Sequence, residues 1–164
     1  MSIGVMHNNQ QEKFPKRVFI KADGSDLTVH RGEVLRYRPT EDEKTLNQVY
    51  KLDSTDANNK ILAGVAKNTI HVKDGQIGHL VIDEPGSIVV AQCNADGANR
   101  SPGTVLRWEQ NAAAFGSGNA GGRLKRVASG EGRGYAILLE QLDNSDSPAL
   151  RKVYLDDGTR AVSA

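Results

Sequence analysis

The chain has 164 residues, 38% of them hydrophobic and 25% charged, which suits a globular body that needs no metal or disulfide staple. Its 21 Lys and Arg face 20 Asp and Glu, and a net charge of +1 argues against a dedicated nucleic-acid binder, which works through surplus cations. The single cysteine, Cys93, excludes an intrachain disulfide and a cysteine-built zinc knuckle, and the longest apolar run, Tyr135–Leu139, is far short of the roughly 18 residues of a membrane helix.

Residues 1–16 carry Asn8-Asn9-Gln10-Gln11 and Pro15 with no helical or strand period, and lack the basic start and apolar middle of a signal peptide. They read as an extended arm, which either stays disordered or orders on a partner. From Arg17 the chain breaks into short β runs. Val18–Ile20 and Leu27–Val29 flank the turn Ala22-Asp23-Gly24-Ser25. Further strands are expected at Glu33–Tyr37, Gln48–Leu52, Ile61–Ala66, Ile77–Asp83, Ser87–Gln92, Thr104–Trp108, Arg123–Ala128 and Tyr135–Leu142. Asp74-Gly75, Pro85-Gly86, Asp96-Gly97 and Pro102-Gly103 punctuate them. Lys152–Leu155 and Thr159–Val162 flank Asp156-Asp157-Gly158 and suit a terminal hairpin over 149–164, set off by residues 143–148. Seventeen glycines beside two methionines fit the same picture of a turn-rich chain. The expectation is an all-β fold: a small β-barrel or β-sandwich of short strands over 17–164, preceded by the arm.

An internal repeat stands out. RGEVLRY at 31–37 matches PGTVLRW at 102–108, with Gly32 over Gly103, Val34-Leu35-Arg36 over Val105-Leu106-Arg107, and Tyr37 over Trp108. Asp-Gly precedes each copy and an apolar strand follows each, which extends the repeat to 23–66 and 96–142. Two explanations stay open: shared β-turn grammar, or two related hairpin units packed in one body.

The chemistry-bearing motifs are sparse. Gly116–Gly121 fits G-x-G-x-x-G, but an Ala-rich turn precedes it and a β-like run follows, where a dinucleotide site needs a strand and then a helix. His7, His30, His71 and His79 lack the spacing of a helical zinc site, and Cys93 after Ile88–Ala91 reads as a structural thiol. Asp83, Glu84, Glu109, Glu131 and Glu140 could supply a carboxylate pair, but no spacing singles one out. Arg100, Arg107, Arg123, Lys125, Arg126 and Arg133 form a locally basic stretch, suited to single-stranded nucleic acid, to self-association or to an acidic protein surface. No catalytic, metal or cofactor residue is assigned.

Gly32-Glu33-Val34-Leu35, the strand Ala63–Ala66, the turn Lys73-Asp74-Gly75, the strand Ile77–Asp83 and then Pro85-Gly86-Ser87-Ile88-Val89 follow one another in an order that resembles the capsid decoration, or cement, proteins of tailed bacteriophages. The resemblance spans about residues 30–142 and rests on glycines and apolar strands. It implies a non-enzymatic virion protein on the outer capsid surface, commonly a homotrimer at three-fold positions, whose partners are the major capsid protein and itself, with no membrane, nucleic acid or cofactor. In that setting the arm, at Phe14, Pro15, Lys16 and Arg17, is the expected capsid contact, and Trp108, Phe115 and Arg123 are the expected contacts between copies. The alternatives are another assembly or glycan-binding module, such as a tail or fibre component, and a small trimeric β hydrolase with GSGNAGG as its lid.

Overall fold

The computed structural model describes residues 15–37, 47–51, 61–108, 122–129 and 134–156. Within them the chain is all-β apart from a single turn of 3-10 helix at Asn144–Asp146. The first seven strands are β1 (Lys16–Lys21), β2 (Leu27–Val29), β3 (Val34–Tyr37), β4 (Tyr50–Lys51), β5 (Ile61–Ala66), β6 (Ile70–Val72) and β7 (Ile77–Asp83). The remaining five are β8 (Ser87–Asn94), β9 (Val105–Trp108), β10 (Leu124–Arg126), β11 (Ala136–Leu138) and β12 (Ala149–Leu155).

Strands β8 to β12 form a closed barrel in the order β10-β8-β12-β11-β9. Every neighbouring pair is antiparallel except β8–β10, which is parallel. The first half forms a sheet in the order β1-β7-β5-β3-β4. Its two edges meet where Phe19 N–H donates to the Asn47 carbonyl at 2.9 Å and Val49 N–H donates to the Phe19 carbonyl at 2.9 Å, a parallel pairing just before β4. Closure of this kind removes open strand edges. With the small β2–β6 sheet set aside, each half runs through its own five strands in the same order: first, fifth, fourth, second, third.

The two Gly-x-Val-Leu-Arg segments, at 32–36 and 103–107, hold the same place in each barrel, as β3 and β9. Glu33 N–H donates to the His30 carbonyl at 3.0 Å, and Thr104 N–H donates to the Ser101 carbonyl at 3.2 Å, so each strand is entered through a tight turn. The third turn residue has positive φ in both, +82° at Gly32 and +90° at Gly103, as a type II turn requires.

Alternation does the packing. On β8, Val89, Ala91 and Cys93 point inward while Ile88, Val90 and Gln92 are more exposed. One core, within the first barrel, gathers Val18, Ile20, Leu35, Leu80 and Ile82, with Val29 and Val72 from the β2–β6 sheet. The other gathers Val89, Leu106, Trp108, Leu124, Leu138 and Val153 from the second barrel, and it also takes in Val34 and Val65 from the first. The barrels therefore share buried apolar surface.

The strand expectations differ from the structure in several places; the run expected at 135–142, for one, is a strand only over Ala136–Leu138. Ile70–Val72 is a strand that three residues with a central histidine do not announce. Residues 149–155 are not one arm of a separate hairpin. They pair with β8 along Ala149–Leu155 and with β11 over Val153–Leu155, so this strand is part of the barrel wall. Thr159–Val162 lies outside the described residues. Lys16 and Arg17 belong to β1, where they pair with Ile82 and Val81, so the body begins before residue 17.

Candidate functional site at the barrel junction

The junction is built from the turn that Gly32 creates. Past Gly32 the chain runs between β8 and the approach to β10. The Gly32 carbonyl accepts from Gln92 N–H at 2.9 Å, and Val34 N–H donates to the Gly122 carbonyl at 2.8 Å. Further along, β8 and β10 pair with each other directly, Leu124 opposite Cys93. Residues 32–34 of the first barrel thus bridge the wall of the second. The fit depends on glycine: a Cβ at Gly32 would run into the Leu150 side chain and stand 2.9 Å from the Gln92 backbone nitrogen.

Between the two bridging bonds sits Glu33, 0% exposed. Gly122 presses on it so closely that a Cβ there would lie 2.7 Å from the Glu33 Cγ. A buried carboxylate is stable only when its oxygens are matched. Glu33 Oε1 stands 3.1 Å from Lys51 Nζ, and Oε2 accepts from the His30 backbone N–H at 2.9 Å. Lys51 is held in turn, its ammonium donating to the Thr28 carbonyl at 2.7 Å. Burial pushes the Glu33 carboxyl above its ordinary value of 4.5, against the pull of Lys51 and the His30 N–H. Burial also holds the His30 imidazole below its ordinary value of 6.5, with Lys51, His71 and Arg123 adding repulsion. A neutral His30 makes its 3.7 Å approach to Glu33 a minor attraction beside Lys51. The cluster ties β2, β3 and β4 of the first half together, and Gly122 of the second barrel closes over it.

The sequence-derived sites fall apart in space. Lys16 is tied into the first barrel: its ammonium donates to the Tyr37 hydroxyl at 3.0 Å and stands 3.8 Å from Glu84. Pro15 and Arg17 are exposed, and Phe14 lies outside the described residues. Trp108 and Arg123, expected between copies, are 3% and 1% exposed and so belong to the interior of the chain. Trp108 stacks on Tyr135 with ring centres 3.9 Å apart and planes 8° from parallel. Phe115, like GSGNAGG, lies outside the described residues.

The basic stretch is not one strip, since Arg107 and Arg123 are buried while Arg126 is exposed. Among the described acids proposed as a pair, Asp83 faces Lys67 at 3.2 Å, Glu84 faces Lys16, and Glu140 faces Lys152 at 3.5 Å. His71 meets Thr28 Oγ1 at 2.9 Å and His79 packs on Phe19 at 6.5 Å, in different parts of the first half. Among the described residues no group of three or more His, Cys, Asp or Glu is placed to hold a metal ion.

Sequence reasoning missed Glu33, because a glutamate after a turn glycine ordinarily faces water. One signal was available: its counterpart in the other copy is the uncharged Thr104. Compared with known proteins, the chain matches no family model, and no curated protein matches it in sequence.

Proposed function

We propose that this chain is a non-enzymatic structural protein of a tailed phage, which binds the outer surface of the expanded capsid and clamps neighbouring major capsid subunits, as a trimer at three-fold positions. The observation that carries the reading is the rigid coupling of two like barrels. Backbone bonds at Gly32 and Val34 and a shared core make them one piece. A clamp needs that property, because a hinge between two contact points would yield under load where a rigid body transmits it. The order of glycines and apolar strands over residues 30–142 supports the same class. The mechanism is mechanical: interface buried on each neighbouring subunit raises the cost of separating them, and many copies on one lattice add up.

The test is to add purified chain to expanded heads that lack it, then measure occupancy by co-sedimentation and head survival on heating. The expected result is saturable binding and a higher disruption temperature. A chain lacking residues 1–14, with β1 whole, is expected to bind more weakly. Failure to bind expanded heads, or binding that leaves their heat stability unchanged, would contradict the reading.

A further inference from the structure

The strand order shared by the barrels allows their outer faces to be compared position by position. In the first barrel, Val34 pairs with Val65 and Val65 pairs with Asp83. In the second, Val105 pairs with Ile137 and Ile137 pairs with Tyr154. The neighbouring rung matches as well. Lys67 N–H donates to the Val81 carbonyl at 2.9 Å, and Leu139 N–H donates to the Lys152 carbonyl at 3.0 Å.

These corresponding faces have different fates. Val34 and Val65 are 0% and 1% exposed, because they pack into the core of the second barrel. Their counterparts remain open. Val105, Ile137 and Tyr154 are half-buried, and the row continues to Ile88, which pairs with Tyr154 and is 65% exposed. In the next row Val90 pairs with Lys152, beside Leu139 at 39% exposed. An outer barrel face left to water is ordinarily polar. Among the described residues this one gathers Ile88, Val90, Ile137, Leu139 and Tyr154 around Lys152, whose ammonium stands 3.5 Å from Glu140. Where the covered face has Asp83, the open face has Tyr154.

We propose that the outer face of β8, β12, β11 and β9, centred on Ile88, Ile137 and Tyr154, is a docking surface for a second copy of this chain. The chain itself supplies the argument for the occupant, since the corresponding face of its first barrel is covered by a barrel of the same build. The face is also continuous with that junction. The next pair along β8 and β12, Gln92 with Leu150, already carries the Gly32 turn of the first barrel. A copy seated on Ile88 and Tyr154 would extend an interface that the molecule already uses. A contact that joins unlike patches forms a ring where its rotation closes; closure at three copies rests on the function proposed above, while the docking face does not.

Sedimentation velocity on the full chain tests this. The wild type is expected to sediment as a multimer of its 17.7 kDa chain at micromolar concentration. The double variant Ile88→Asp/Ile137→Asp is expected to weaken association at least about 30-fold, as loss of central interface anchors does. Ile88→Lys is the second variant, at a site so exposed that folding does not depend on it, and it is expected to shift the equilibrium the same way. Gln76→Asp, on an exposed turn of the first barrel, is expected to leave association unchanged. A wild type that stays monomeric at about 100 times those concentrations, or an Ile88→Lys chain that associates like wild type, overturns the inference. A multimer broken by these variants that binds no heads supports it and sinks the capsid reading alone. A monomer that decorates heads through Ile88 makes the capsid the occupant and overturns it.

Discussion

Gly32 and Gly103 stand at the same point of two barrels, each donating its N–H at 2.8 Å, to the carbonyl of Ala66 and of Leu138 respectively. Both have positive φ, yet a Cβ at Gly103 would meet nothing within 4 Å, whereas one at Gly32 would strike the second barrel. One turn is thus used twice, once facing water and once as the pin of a junction. The sequence shared by the copies explains the turn, and its surroundings explain the difference.

Alanine at each glycine separates these two roles. Gly103→Ala is expected to cost roughly 1–2 kcal/mol, the strain of a Cβ in left-handed backbone. Gly32→Ala carries the same strain and adds overpacking of about 1–3 kcal/mol. Urea unfolding of the two variants measures the difference, and equal losses would mean that Gly32 does not pin the barrels.

The junction also sets a pH dependence with two opposed parts. Glu33 has a raised folded-state pKa, so its contribution is fully present below 4.5 and is lost as pH rises through the folded value. His30 has a lowered one, so its contribution is present above 6.5 and is lost as pH falls through the folded value. Stability of Glu33→Gln relative to wild type is therefore expected to improve as pH rises from about 4 to about 7. The disadvantage of His30→Asn is expected to be greatest above pH 6.5 and to shrink on acidification. Unfolding midpoints across that range, for the three chains side by side, give both slopes.

Shared burial makes the barrels one cooperative unit. The only tryptophan, Trp108, lies in the second barrel and stacks on Tyr135, so its emission reports that barrel, while far-ultraviolet circular dichroism reports both. The two urea transitions are expected to coincide. In Lys51→Met, which strips Glu33 of its cation at a cost of about 1–3 kcal/mol, they are expected to move together to lower urea.

Cys93 is 0% exposed, and its thiol is pushed up to about 12 by burial. A thiol so placed is not a nucleophile at neutral pH. A disulfide reagent at pH 8 is expected to label the native chain only at the rate of unfolding and to label it at once in urea. Rapid labelling of the native chain would contradict its place between β10 and β12 in the barrel wall.

Much of the strand content was legible, because period-2 alternation and glycine turns are local. Ile61–Ala66 and Ile77–Asp83 are bounded by turn residues, and the strands end where those begin. Closure was not legible, since it depends on pairings such as Phe19 with Gln48 and Leu124 with Cys93, which no local pattern encodes. Ile70–Val72 was hidden by its length and by His71. The Arg107 and Arg123 side chains count as surface charge by composition but are buried, an outcome of packing between segments distant in sequence that residue type does not encode. Glu33 was legible only as a turn neighbour, because its burial comes from a chain 89 residues on, at Gly122.

The proposed place of this chain on a capsid surface is checked by its copy number in purified phage particles relative to the major capsid protein. Quantitative mass spectrometry is expected to give a ratio near one to one, or a simple fraction set by three-fold sites. A handful of copies per particle, or none, would contradict the account.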